Sequence, residues 1–135
     1  MKISEVSKIT GLSQKSIRLY ESKGIVSSPS RELNGYRIYT QSQTNDLNFV
    51  NNARKSGFSL EECKTLLCIE KNPQRLSADV KSIVEEKLIE LKNQLDLLQN
   101  MCDKLEQWSQ LCPGNEESEC PIINGLKDTK NEANK

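Results

Sequence analysis

The chain has no histidine in its 135 residues. That removes the commonest general base, every Ser-His or Cys-His nucleophile pair and most catalytic zinc sites, so an enzyme is disfavoured from the outset. A Gly-rich phosphate loop is also missing, and the chain is too short for a doubly wound nucleotide domain. Uncharged apolar runs extend over only a few residues, which excludes a transmembrane span. Met1-Lys2-Ile3-Ser4-Glu5 lacks the apolar block of a secretory signal. The expectation is a soluble, cytoplasmic protein with no membrane partner.

Net charge is zero, but it is unevenly spread. Residues 1–58 carry nine Lys/Arg against four Asp/Glu, a net +5, and residues 59–135 carry ten against fifteen, a net −5. A basic head on an acidic body points to a head that meets a polyanion. The five cysteines, an odd number in a reducing compartment, argue against a disulfide framework.

What the chain does have is one long stretch without Pro or Gly, Ser77 to Leu111, dense in Glu, Lys, Leu and Gln. Within it Val84, Leu88, Leu91, Leu95, Leu98, Cys102 and Leu105 step by four and three, the seam of a coiled coil. Such a helix is about 50 Å long. No second helix of matching length exists in the chain to cover the stripe, so the stretch reads as a dimerisation helix rather than a core helix of a monomeric bundle.

Upstream, Ile3, Val6 and Ile9 have helical spacing, and Thr10-Gly11-Leu12-Ser13 stops one helix and caps the next, Gln14 to Lys23, which Gly24 closes. This is a helix-turn-helix pattern, whose second helix characteristically enters the major groove. Lys15, Arg18 and Tyr20 lie on that helix, while Ile17 can face inward. Asn34-Gly35 followed by alternating β-formers predicts a hairpin wing that places Tyr36 and Arg37 where they could clamp phosphates; Tyr39 reads as packing. Thr40 caps a third helix to about Ser56, whose Arg54-Lys55 end is a further phosphate candidate. A capped restart at Ser59 leads to a helix near Leu60 to Ile69, ending before Asn72-Pro73.

Of the cysteines, Cys102 lies on the seam as a small hydrophobe. Cys63 and Cys68 are five apart on one helix, a poor chelating pair, with Cys68 expected to be the more buried. Cys112 and Cys120 differ. The first ends the long helix at Pro113-Gly114, and a seven-residue loop returns to Cys120-Pro121, with Ile122, Ile123 and Leu126 able to pack as a flap. Two thiolates without histidine suit a soft ion of low coordination number, whereas Zn(II) generally takes four ligands. Spacing alone does not separate that reading from structural or oxidisable thiols. Glu116, Glu117 and Glu119 read as a solvated loop face.

Residues Met1 to about Ser59 resemble the DNA-binding head of the MerR family of transcriptional regulators. The strings that carry the resemblance are Ile3-Ser4-Glu5-Val6, Thr10-Gly11-Leu12, Ile17-Arg18-Leu19-Tyr20-Glu21, Gly24-Ile25-Val26, Asn34-Gly35-Tyr36-Arg37-Ile38-Tyr39 and Ala53 to Glu62. Cys112-Pro113-Gly114, Cys120-Pro121-Ile122-Ile123, Pro73-Gln74-Arg75 and Ser77 to Lys81 extend it to the family's copper-responsive branch. The resemblance implies a mainly α protein. A winged helix-turn-helix DNA-binding head (residues 1–58) and a helical linker (59–76) lead into a long antiparallel coiled-coil dimerisation helix (77–111). A metal-binding loop and flap (112–126) and a disordered tail (127–135) follow.

It further implies that Arg18 and Tyr20 face the groove or its edge, and that Tyr36, Arg37 and Arg54 hold the backbone. Cys112 and Cys120 would bind Cu(I), with Ag(I) and Au(I) as mimics, in a linear bis-thiolate. Ser77 would replace the cysteine of divalent-metal sensors, and Lys81 would offset the thiolate charge. The implied function is a homodimer that activates copper-efflux or detoxification genes with RNA polymerase at the promoter, and that binds the promoter with or without metal.

Rivals are weaker. A Zn, Cd or Hg sensor needs a third thiolate near the start of the dimer helix, where Ser77 stands. An iron–sulfur regulator needs four clustered cysteines. A copper chaperone or buffer has no use for a winged head, and a thiol oxidoreductase would want Cys-x-x-Cys on a β-α scaffold.

Overall fold

The computed structural model describes residues 1–112, 114 and 120–127, and falls into two compact units, residues 1–88 and 89–135. The protein is mainly helical. In the first unit α1 (Ile3–Thr10) stops at Gly11, which takes φ 76°, where a side chain would be strained. Helix α2 (Gln14–Ser22) starts where Ser13 Oγ accepts the Ser16 N–H at 3.1 Å. The short strands β1 (Ser30–Arg31) and β2 (Arg37–Ile38) pair antiparallel, Ser30 opposite Ile38 and Arg31 opposite Arg37. They form the small wing expected from Asn34-Gly35.

Helices α3 (Gln41–Lys55) and α4 (Leu60–Lys71) each open on a full capping box, Thr40 with Gln43 and Ser59 with Glu62. The α1–α3 contact is tied by Asn51 Nδ2, which donates to the Thr10 carbonyl at 2.8 Å and so satisfies an otherwise orphaned helix end.

One core unites these elements. Val6, Ile17, Leu47, Val50 and Cys63 are fully buried, and Tyr20, Tyr39, Phe58 and Leu67 close around them. The expectation for the linker thiols is reversed: Cys63 is buried between the Val50 and Phe58 carbonyls, and Cys68 is exposed. Five residues on a helix is about 500° of rotation, so the two cannot share a face, and it is Cys63 that turns toward α3.

Helix α5 runs from Ser77 to Leu111. Its first turns meet the first unit through Ile83, which packs on the core, and through buried Lys87. Val84, Leu88, Leu91, Leu95, Leu98 and Leu105 are all exposed in the single chain, as is Cys102. In the second unit a further helix, α6 (Pro121–Lys127), occupies the segment expected as an irregular flap. Ile123 and Leu126 on it are exposed rather than packed. The tail after Lys127 lies outside the described residues, and no helix among those described is long and apolar enough to cross a membrane.

Candidate nucleic-acid interface and thiol pair

Helix α2 presents two faces. Ile17 and Tyr20, three apart, turn into the core, while Lys15, Arg18, Leu19 and Ser22 form the exposed face. Lys15, Arg18 and Ser22 line one side of an open groove of about 480 Å³ that Arg37 of the wing closes on the other. Tyr20 does not line that groove. It is 7% exposed, because the register that buries Ile17 buries it too.

Arg18 also borders a smaller pocket of about 160 Å³, together with Arg31 and Arg37 of the wing and Glu21 and Ser22 of α2. Arg31 was not singled out from sequence, yet it stands directly across the ladder from Arg37. Like charges in that position are destabilising unless anions attend them. Arg37 has one anion: its Nε donates to Glu21 Oε2 at 3.2 Å. Arg31 Nη1 instead donates to the Gly35 carbonyl at 3.1 Å across the turn. A signal was present in the sequence, since Arg31 and Arg37 lie on either side of the Asn34-Gly35 turn, three residues before it and two after.

Tyr39 is core, as expected, and its hydroxyl donates to Glu21 Oε1. Burial, and then the Glu21 carboxylate, push the Tyr39 phenol up. Tyr36 is exposed in the wing turn, with Lys2 Nζ 5.8 Å from its ring centroid. Arg54 is exposed and donates from Nη1 to the Phe58 carbonyl at 3.1 Å, which steadies the α3–α4 turn. Lys15, Arg18, Arg31 and Arg37 thus converge on one side of the helix-turn-helix, and Tyr36 and Arg54 are accessible on the wing and the α3–α4 turn. Phosphates are the ligands such a donor set fits.

In the second unit, Cys112 follows the last turn of α5, its N–H donating to the Trp108 carbonyl at 3.1 Å. Cys120 opens α6, its carbonyl accepting the Asn124 N–H at 3.1 Å. The two Sγ atoms are 3.3 Å apart, and both residues are half-buried. The Ile123 backbone N–H, then the Cys112 thiol, hold the Cys120 thiol below its ordinary value, favouring the thiolate that a metal needs. No group of three His, Cys, Asp or Glu that could hold a metal exists among the described residues. Glu116, Glu117 and Glu119 lie outside them. Ser77 begins α5 and is exposed; Lys81 is exposed with Nζ 3.9 Å from Glu85 Oε1.

The chain matches a family model described as MerR HTH family regulatory protein over residues 1–68, and one described as MerR, DNA binding over residues 44–108. It is 47% identical over 126 residues to the HTH-type transcriptional regulator CueR of Salmonella typhi, covering 93% of this chain and 91% of that protein. It is 41% identical to a probable heavy metal-dependent transcriptional regulator of Haemophilus influenzae, covering 93% and 98%. Among solved structures, the transcription regulator PbrR691 from Ralstonia metallidurans CH34 in complex with lead(II) superposes with a TM-score of 0.81 at 25% identity, covering 93% and 98% of the two chains.

Proposed function

This chain belongs to the MerR family of helix-turn-helix regulatory proteins, and on that premise we propose that it is a cytoplasmic, homodimeric transcription activator switched by Cu(I). The observation that carries the reading is the pair of half-buried sulfurs 3.3 Å apart where α5 gives way to α6. Two thiols with no histidine in the sequence fit a monovalent soft ion, Cu(I) with Ag(I) and Au(I) as mimics. Cys112 and Cys120 would hold it, and the ion would supply one positive charge to offset the thiolates.

The rest falls to the chain. Cys112 and Cys120 close the junction between α5 and α6. In the dimer, Ser77 and Lys81 at the start of the second copy's α5 would supply no third thiol and a compensating charge, respectively. The exposed leucine stripe of α5 pairs antiparallel with its copy, so that each head reads half of a two-fold promoter site. Lys15, Arg18, Arg31 and Arg37, with Tyr36 and Arg54, hold the DNA backbone and groove. Promoter binding with or without metal leaves the ion to bias the dimer between two states, one of which distorts the DNA into a form that RNA polymerase can use. Copper efflux and detoxification genes are the targets such a switch would serve.

A divalent soft ion, such as the lead(II) held by the solved structure above, is the second reading. It requires a third donor, and the test separates the two. Purified dimer competes with a Cu(I) chelator and, in parallel, takes up Zn(II) and Pb(II). Tight uptake of the monovalent ion alone supports the assignment. Cys112→Ser and Cys120→Ser should each bind promoter DNA as the wild type does and lose copper-induced transcription. A variant that still responds at wild-type copper concentrations would refute the site.

A further inference from the structure

Glu21 is an anion in the middle of a surface that otherwise collects cations. It lies in the last turn of α2, with its side chain 6% exposed. Taking a carboxylate out of water is costly unless good partners return it. Both oxygens are engaged: Oε1 accepts from the Tyr39 hydroxyl and Oε2 accepts from Arg37 Nε at 3.2 Å. Those two donors sit on β2 and on the residue just after it, so one buried carboxylate clasps the return strand of the wing to the groove-facing helix.

The wing needs such a clasp. Its strands are two residues each, and an isolated hairpin of that size is not stable by itself. Its ladder also opposes Arg31 with Arg37, a repulsive pair. Glu21 meets Arg37 at Nε, the inner edge of the guanidinium, and among the described residues that guanidinium forms no other hydrogen bond. The fork is planar and rigid, so fixing Nε fixes where the remaining four N–H groups point. They are left for an outside acceptor, at the rim of the pocket that Arg18 and Arg31 also line.

We infer that Glu21 is a positioning residue for DNA binding: its carboxylate presets the Arg37 fork as a phosphate clamp beside Arg18 and Arg31. The inference rests on the DNA-binding reading above. It makes a prediction opposite in sign to simple electrostatics. Removing a negative charge beside bound phosphates should tighten binding; removing a positioning group should loosen it.

The test is Glu21→Gln, of the same size but unable to accept from both donors at once without turning its amide N–H₂ toward one of them. Binding is measured by fluorescence anisotropy on a labelled duplex selected from a randomised pool by the wild-type dimer, across a range of salt concentrations. Glu21→Gln is expected to bind about tenfold more weakly. Its log–log salt slope should be shallower by about 1.8, the loss of one phosphate contact per protomer. Arg37→Ala should show the same change of slope, and the double variant should be no weaker than Arg37→Ala alone.

Tyr39→Phe supplies the structural control. It removes a bond to the same carboxylate and lowers the melting temperature, but should leave the salt slope as in the wild type. Tighter binding by Glu21→Gln, an additive double variant, or a Tyr39→Phe slope as shallow as that of Glu21→Gln would overturn the inference alone. A wild-type dimer that selects no duplex would overturn the DNA-binding reading, and this inference with it.

Discussion

Removing the Glu62 carboxylate should cost stability in a way that depends on pH. Glu62 is the third residue of α4, where Oε1 accepts the Ser59 N–H at 2.8 Å in the capping box. The same oxygen lies 2.8 Å from Lys87 Nζ of α5, with side-chain exposures of 8% for Lys87 and 35% for Glu62. Lys87 also sits over the Phe58 ring, 5.8 Å from its centroid. These partners, the Lys87 ammonium first and the Ser59 N–H next, hold the Glu62 carboxyl at about 2 against an ordinary 4.5. Because a third of the side chain meets water, screening reduces the linked stability to about 1–2 kcal/mol. The folded value is the depressed one, so this contribution is complete above pH 4.5 and is lost as pH falls toward 2. Glu62→Gln retains the capping box, since Gln serves equally at that position. In urea unfolding at fixed protomer concentration it should be less stable than the wild type by about 2 kcal/mol near neutral pH, with the gap closing by about pH 2. Lys87→Met should cost less than Glu62→Gln, because Met preserves the buried stem and Glu62 still has its N–H and solvent. A gap that does not change with pH, or a costlier Lys87→Met, would refute this account of the junction.

Leu95 is 64% exposed in the single chain, and burying what remains of it twice in a two-fold dimer is worth about 2–4 kcal/mol. Leu95→Glu should therefore shift the protein to monomers at micromolar concentration in sedimentation velocity; an unshifted dimer would place the interface elsewhere. Burial separates two candidates on α2, the exposed Arg18 and the largely buried Tyr20. Arg18→Ala should weaken duplex binding by about tenfold with copper affinity unchanged, whereas Tyr20→Phe should alter stability and leave DNA affinity within about twofold. Equal losses in DNA binding for the two variants would return Tyr20 to the groove.

The elements that could be read from sequence are those set by local chemistry. Ser13, Thr40 and Ser59 each make the cap their residue type favours, and Gly11, Gly24 and Gly35 take positive φ where a turn required it. Helix α5 fills most of the Pro- and Gly-free run between Pro73 and Pro113, beginning at Ser77 and ending at Leu111. Features decided by packing between elements were harder to see. Whether Tyr20 faces the groove depends on which side of a nine-residue helix the rest of the head covers, and a tyrosine suits either side. Cys63 and Cys68 are the same residue type on the same helix, and only the position of α3 decides which is buried. Helix α6 has an atypical cap, Cys120, and just seven residues, too few for periodicity to speak. Lys87 was unremarkable among the charged residues of α5, because nothing local announces that Glu62 and Phe58 lie opposite it. The thiol pair was visible as two residues of one chemistry flanking a Pro-Gly break, but the 3.3 Å separation belongs to the fold.

The burial of Lys87 bears on how α5 can serve two bodies at once. Ile83 and Lys87, four apart, form the face of the helix held by its own head, while Val84 and Leu88, also four apart, lie one residue further round on the exposed stripe. The two faces are about 100° apart on the same turns. An apolar residue at 87 would merge them into one broad stripe, on which a partner helix could settle in more than one rotation. An ammonium there, matched by Glu62 and the Phe58 ring, belongs with the head and is costly to leave elsewhere. The ion pair thus gives up part of the stability that a packed hydrophobe would supply and sets the rotation of α5 against the head.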